Sequence, residues 1–262
     1  MSVQEQTVRG AVQPLVEELS PTQFRVQVRY TDLDELETGP AELLMLSMGE
    51  RVRAARLKSP LERQRYVASC VFTRRVLGDL SGVAPERLEF HRDKCGKPWL
   101  SVPVDMEHAE LRELLSFSVS HSENVLGLAV GRGCGVGFDV EVVKQGLDIL
   151  AVADASLSRA DYDRVRSSTE DERCSVFYRL WTLREAFAKM QGHGVASDHV
   201  CEMPAVTWSL RSFELVLGGK RVVGSLCLAD HTQVERSSSG LFLIIQEATV
   251  MPIPRIIIPI PS

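Results

Sequence analysis

Val136-Gly137-Phe138-Asp139-Val140-Glu141-Val142-Val143 alternates with a period of two. Phe138, Val140 and Val142 fall on one side, and Asp139, Glu141 and Val143 on the other. This predicts a β-strand with one greasy face. The second face carries two carboxylates close together. Like charges so placed repel, and each raises the other's pKa unless a cation stands between them. A hard divalent ion such as Mg2+ takes oxygen ligands of this kind and keeps waters and phosphate oxygens in the rest of its shell. The same pattern also suits a solvated edge strand with acidic teeth.

Downstream, Val176 to Met190 predicts a helix. Phe177, Leu180, Trp181, the stem of Arg184, Phe187 and Ala188 recur at helical spacing. Glu185 and Lys189 are four apart and share a face. One reading is a surface ion pair. The other makes Glu185 a third metal ligand with Lys189 beside it to meet phosphate. Gly192 and Gly194 end the helix.

Upstream, Phe117-Ser118-Val119-Ser120-His121-Ser122 predicts a strand end, followed by a buried strand at Val125–Val130. Ser120 and His121 do not make a hydrolase site, because no Gly-x-Ser-x-Gly elbow surrounds either serine. The glycines at 131, 133, 135 and 137 precede a strand rather than a helix, so they are not a dinucleotide loop. They read as a hairpin or crossing where backbones run close, and as the boundary between two halves, 1–134 and 135–262.

In the first half, Phe24–Tyr30 reads as a strand, with Thr31-Asp32 offering a cap for a following helix. Residues 41–57 read as one helical region. Ser59-Pro60 breaks it from a second helix over Leu61–Leu77. Between Arg51 and Arg75 eight basic residues accumulate, among them Arg56, Lys58 and Arg65. They form either a solvated face or an anion pocket, since guanidinium forks suit phosphate. Asp93–Pro98 is a turn by pattern.

In the second half Ser158 and Asp161 come close to a capping box. Short strands are expected at 206–210, 213–217, 221–223, 226–228 and 241–245, with Gly218-Gly219 as a hairpin turn. The end, Met251–Pro261, is too short and proline-cut to span a bilayer; it packs as extended chain or stays loose.

The net charge of −5 over 262 residues excludes broad nucleic-acid binding, which needs a basic domain. Six cysteines show no zinc spacing, and no secretory segment opens the chain. Reduced thiols in a cytoplasmic protein are expected.

The blocks Phe-x-x-Ser-His-Ser, Gly-x-Asp-x-Glu and Trp-x-x-Arg-Glu-Ala-x-x-Lys, preceded by Gly96-Lys97-Pro98, resemble the signature of the Sfp-type 4'-phosphopantetheinyl transferases. The resemblance covers roughly Gly49 to Gly194, with the blocks in the family's order. Ser118 stands where Asn is usual, Phe138 where Ile is, and Arg184 where Lys is; none removes a ligand. The resemblance implies an α/β (α+β) fold of two similar halves related by a pseudo-twofold, with coenzyme A in the cleft. It implies that Asp139, Glu141 and Glu185 bind Mg2+ on the cofactor's pyrophosphate. Lys97, Pro98, Ser120, His121 and Lys189 would meet the cofactor, and Arg65, with Arg56 and Lys58, its 3'-phosphate. Asp161 matches a position sometimes proposed as a base; a cap is the other reading. The implied reaction moves phosphopantetheine from coenzyme A to a serine of an apo acyl or peptidyl carrier protein, by a monomer with no nucleic-acid or membrane partner. Glu185 through a water, a metal-bound hydroxide or Asp161 would take the serine proton. The alternative is a non-catalytic module that binds coenzyme A or a carrier protein.

Overall fold

The computed structural model describes residues 25–94, 96–101, 115–192, 208–230, 242–247 and 256–259. In chain order the elements begin with β1 (Arg25–Asp32), α1 (Pro40–Met45), α2 (Met48–Arg56) and α3 (Pro60–Ser81). A 3-10 turn (Pro85–Arg87), β2 (Glu89–Arg92), β3 (Pro98–Ser101), β4 (Leu115–Ser122), β5 (Val125–Arg132) and β6 (Cys134–Val142) follow. The rest are α4 (Ile149–Ser156), α5 (Arg159–Ser167), α6 (Glu170–Gln191), β7 (Trp208–Leu217), β8 (Lys220–Asp230), β9 (Phe242–Glu247) and β10 (Ile256–Pro259). Helices mixed with largely antiparallel sheets make this an α+β fold.

One sheet runs β10-β9-β1-β5-β4 and a second runs β6-β8-β7. β1 pairs antiparallel with β5 and parallel with β9, so the last strands of the chain return to the first strand. The chain leaves the first sheet after Arg132 and enters the second at Cys134. Gly133, with φ of +70°, makes the step. The glycine run is therefore the expected crossing point.

The strand period distributes side chains between two cores. Val26, Val28 and Ala129 of the first sheet meet Val136, Phe138, Val140 and Val142 of β6 and Val222 and Leu226 of β8. On the other face of the first sheet, Leu126, Leu128 and Val130 pack on Ala68, Phe72, Val76 and Leu77 of α3. α6 covers β8 from the far side, through Phe177 and Tyr178 against Val223, and Ala186 and Met190 against Cys227 and Ala229. Each large apolar side chain so buried contributes about 1.5–3 kcal/mol.

Several boundaries differ from the sequence reading. The helical region 41–57 is two helices. Ser47 breaks it and opens α2 with a capping box, its Oγ accepting from Glu50 N–H (3.3 Å) while Glu50 Oε2 accepts from Ser47 N–H (2.7 Å). Thr31 and Asp32 end β1 instead of capping a helix. α3 runs four residues past Leu77, to Gly82 at φ +71°. α6 starts at Glu170 because Glu170, Asp171 and Glu172 suit a positive helix N-terminus. The strand pairs expected on either side of Gly218-Gly219 fuse into β7 and β8, and those glycines (φ +54° and +74°) make the turn. Residues 105–114, the 206–207 end of a predicted strand and Cys95 and Cys201 lie outside the described residues. Cys70, Cys174 and Cys227 are free thiols. Among the described residues no helix is long and apolar enough to cross a membrane.

Candidate active site

β4, β6 and α6 meet around a pocket of about 310 Å3 lined by Val119, Ser120, His121, Asp139, Glu141, Trp181, Glu185 and Lys189. The alternation of β6 sends Asp139 and Glu141 to the face opposite its core valines. Trp181, Glu185 and Lys189 lie four apart and form one stripe on α6. The strand and helix touch backbone to backbone at Gly137, where a Cβ would stand 1.9 Å from the Ala186 carbonyl oxygen. That contact brings the stripe onto the carboxylates.

Asp139 is 3% exposed, which rules out the solvated edge strand. Its Oδ1 accepts from Lys189 Nζ (2.7 Å) and from Ser120 Oγ (2.7 Å), and Lys189 also donates to Ser120 Oγ (2.9 Å). Lys189 thus pairs with the strand carboxylate, not with Glu185 on its own helix. Asp139 Oδ2 is buried and makes no hydrogen bond among the described residues, an expensive state for a carboxylate oxygen. Glu141 Oε2 accepts from Ser122 Oγ (2.5 Å), and Trp181 lines the pocket beside it. Burial pushes Asp139 above the usual carboxylate range, against the opposing pull of Lys189 and Ser120. Burial likewise raises Glu141 and Glu185; in Glu185 the charge of Asp139 adds to it. The donor set is all oxygen, which suits a hard cation. Among the described residues no three such groups are gathered closely enough to hold a metal ion as they stand. Lys189 takes up the charge of Asp139, and the mutual repulsion of the acids keeps them apart.

Six residues singled out from sequence therefore share one pocket: Ser120, His121, Asp139, Glu141, Glu185 and Lys189. Lys97 does not join them. Its ammonium is held by the carbonyl oxygens of Val136 (3.1 Å) and Met190 (3.0 Å), at the C-terminal end of α6, where a helix attracts a cation. Burial lowers its pKa. Asp161 sits in the first turn of α5, where Ser158 is the cap: Ser158 Oγ accepts from Asp161 N–H (3.2 Å) and donates to Asp161 Oδ2 (2.8 Å), with Arg164 paired beside it. It does not line the pocket.

A second cavity of about 660 Å3 shares Val119 with the first. Its lining includes Arg53, Tyr66, Arg74, His91, Arg92 and Pro98. Arg56, Lys58 and Arg65 are not. Arg65 instead grips Asp34 with both Nε (2.7 Å) and Nη2 (2.5 Å). Arg74 is spent on structure, donating to Glu50 and to the Pro85 and Leu88 carbonyls. Arg53, lying over the Tyr66 ring at 5.2 Å, was not singled out from the other basic residues of the run; its partner Tyr66 lies on the next long helix, which no local spacing shows. Trp181 was missed as a pocket residue; its place four residues before Glu185 was a readable signal.

A family model, the 4'-phosphopantetheinyl transferase superfamily, matches residues 135–235, which include β6, α6 and β8. The 4'-phosphopantetheinyl transferase HetI of Nostoc sp. is 32% identical over 165 residues, which cover 63% of this chain and 67% of that protein. The chain belongs to the 4'-phosphopantetheinyl transferase superfamily. Other transferases of the superfamily align over a similar span. The L-aminoadipate-semialdehyde dehydrogenase-phosphopantetheinyl transferase of Eremothecium gossypii is 30% identical over 66% of this chain and 64% of its own length. A 4'-phosphopantetheinyl transferase of Bacillus subtilis is 24% identical over 62% of this chain and 67% of its own. The chain thus spans about two thirds of these phosphopantetheinyl transferases. The family read from the sequence blocks is borne out.

Proposed function

We propose that this protein transfers the 4'-phosphopantetheine arm of coenzyme A to a serine of an apo acyl or peptidyl carrier protein, with release of adenosine 3',5'-bisphosphate. One observation carries the reading: a single pocket unites Ser120, His121, Asp139, Glu141, Glu185 and Lys189, and inside it Asp139 Oδ2 is buried without a hydrogen-bond partner among the described residues. Asp139, Glu141 and Glu185 would hold Mg2+, which supplies positive charge to pyrophosphate oxygens. Lys189, Ser120 and His121 then bind phosphate, and Lys189 meets charge that builds on the leaving group. The serine oxygen forms a bond to the phosphorus that carries the pantetheine arm, and the bond from that phosphorus to the bridging oxygen breaks. Glu185, its proton affinity raised by burial and by Asp139, takes the serine proton through a water. Asp161 serves as the partner of Ser158 in the cap of α5.

The two halves, 1–134 and 135–262, with a pseudo-twofold and coenzyme A between them, belong to the same proposal. The passage between sheets at Gly133 and a pocket at their junction support it, with β9 and β10 crossing back. A monomer in the cytoplasm belongs to the same proposal, and the free thiols of Cys70, Cys174 and Cys227 suit that compartment.

The larger cavity would take the nucleotide end, with Arg53 at the 3'-phosphate. Arg65, the sequence choice, competes for that role from its ion pair with Asp34. Arg53→Ala is expected to weaken coenzyme A about tenfold or more, the worth of a charge-assisted hydrogen bond, while 3'-dephospho-coenzyme A is hardly affected. Calorimetry on both ligands, with Arg65→Ala in parallel, checks this. Equal losses for both ligands in Arg53→Ala, with a selective loss in Arg65→Ala, would return the 3'-phosphate to Arg65.

The function itself is tested by incubating the protein with coenzyme A, Mg2+ and several apo carrier proteins and weighing the products. The expected result is one phosphopantetheine on a serine, abolished by Glu185→Ala. No mass gain on any carrier, together with tight Mg2+-dependent binding of coenzyme A, would favour the non-catalytic module.

A further inference from the structure

β4 and β6 are edge strands of different sheets, yet side-chain hydroxyls join them where a backbone ladder would otherwise stand. Phe117 and Val119 of β4 face α3. Ser116, Ser118, Ser120 and Ser122 take the other side, toward β6. Ser116 Oγ accepts from Val136 N–H (3.2 Å), Ser118 Oγ from Phe138 N–H (3.0 Å) and Ser122 Oγ from Val142 N–H (3.1 Å). Each serine meets the amide twenty positions further on, so the two strands run in one direction in constant register. The remaining rung is different. Ser120 Oγ donates to Asp139 Oδ1 beside Lys189 Nζ, in place of accepting from a β6 amide. Ser122 does both jobs, accepting from Val142 N–H and donating to Glu141 Oε2.

We propose that Ser116, Ser118 and Ser122 are positioning residues that fix the register of β6 against β4 and thereby the placement of Asp139 and Glu141. The proposal rests on reading those carboxylates as metal ligands. Buried amides on a strand edge demand partners. A hydroxyl can accept from an amide and donate onward to a carboxylate, which an unbranched backbone pair cannot do. A slip of one residue would turn valines into the pocket and the carboxylates into the core, and the amide-to-serine rungs forbid it. Outer partners of metal ligands are typically worth about 10–100-fold in metal affinity.

The test uses the full chain with Ser118→Ala and Ser118→Thr. Mn2+ is titrated by electron paramagnetic resonance in the presence of coenzyme A, and coenzyme A binding is measured without metal. Ser118→Ala is expected to raise the Mn2+ half-saturation by roughly tenfold, to leave metal-free coenzyme A affinity unchanged, and to be rescued by Ser118→Thr. Amide hydrogen exchange gives a readout that needs no metal. In the wild-type chain the Val136, Phe138 and Val142 amides are expected to be protected, and Ser118→Ala is expected to release Phe138 while Val142 stays protected. Fast exchange of these three amides in the wild type overturns the ladder, even if Ser118→Ala does not fold. Unchanged Mn2+ affinity in Ser118→Ala overturns its link to the carboxylates while the transferase reading stands. A wild-type chain that binds coenzyme A without binding Mn2+ overturns the metal reading, and the positioning role with it.

Discussion

Asp139→Asn is expected to lower phosphopantetheine transfer at limiting Mg2+ by about 100-fold or more, beyond the loss seen for outer partners of metal ligands. The reason is Oδ2, the buried oxygen that finds no hydrogen-bond partner among the described residues. An amide keeps the shape and an acceptor for Ser120, so the fold survives. Substituting its partner, Lys189→Met, should lower both activity and stability. It strands Asp139, whose side chain is only 5% exposed, without its counterion. Removing one member of a buried pair costs about 3–5 kcal/mol; because Lys189 sits nearer the solvent, with 30% of its side chain exposed, the lower end applies. Denaturant melts and initial rates on both variants, across a Mg2+ series, separate the two effects. Near-normal turnover of Asp139→Asn at low Mg2+ would remove Asp139 from the metal set.

Gly137→Ala is expected to be the most damaging single methyl in the chain's second half. The added Cβ would stand 1.9 Å from Ala186 O, 2.3 Å from Met190 N and 2.6 Å from Met190 Cβ. Two of those are helix backbone, which cannot rotate aside. α6 must then lift from β6, carrying Glu185 and Lys189 away from Asp139. Overpacking of this kind costs about 1–3 kcal/mol and sometimes more, and in a chain this long each kcal/mol lowers Tm by roughly 2–4 °C. The expected outcome is a fall in Tm of about 10 °C and loss of transfer, with Gly49→Ala, which meets no atom closer than 4.0 Å, as the control for Tm. A Gly137→Ala protein with wild-type Tm and turnover would show that the strand and helix have room between them.

The site was legible where its signals are local. Asp139 and Glu141 declare themselves by the period of one strand, and Glu185 with Lys189 by the pitch of one helix. Lys97 and Arg65 were not placed by such rules, since their partners lie far off in sequence: Val136 and Met190 for the first, Asp34 for the second. The same holds for the pairing of Lys189, which local spacing offered to Glu185 and tertiary contact gave to Asp139. In the fold, Ser47 and Glu50 carried a stop signal that the continuing apolar rhythm of residues 41–57 masked. β7 was read as two strands, with a break at Arg211-Ser212. Ser212 instead meets Ser225 across the sheet at 2.9 Å, in a small hydroxyl cluster with Thr182 of α6. Polar residues inside a strand need such partners, and a linear reading does not supply them.

The parallel union of β1 with β9 has a bearing on how the chain is made. A ribosome delivers β1 some two hundred residues before its neighbour, since Val26 must wait for Leu243. Until then one flank of β1 is an open template for any other extended chain. Contacts between segments so remote close slowly, because the intervening loop must be brought together first. The nascent protein can thus settle α3 against β4 and β5 early and still be unfinished. Its first sheet is completed only after translation has passed residue 259, which makes the C-terminal strands a clasp on a structure already largely assembled.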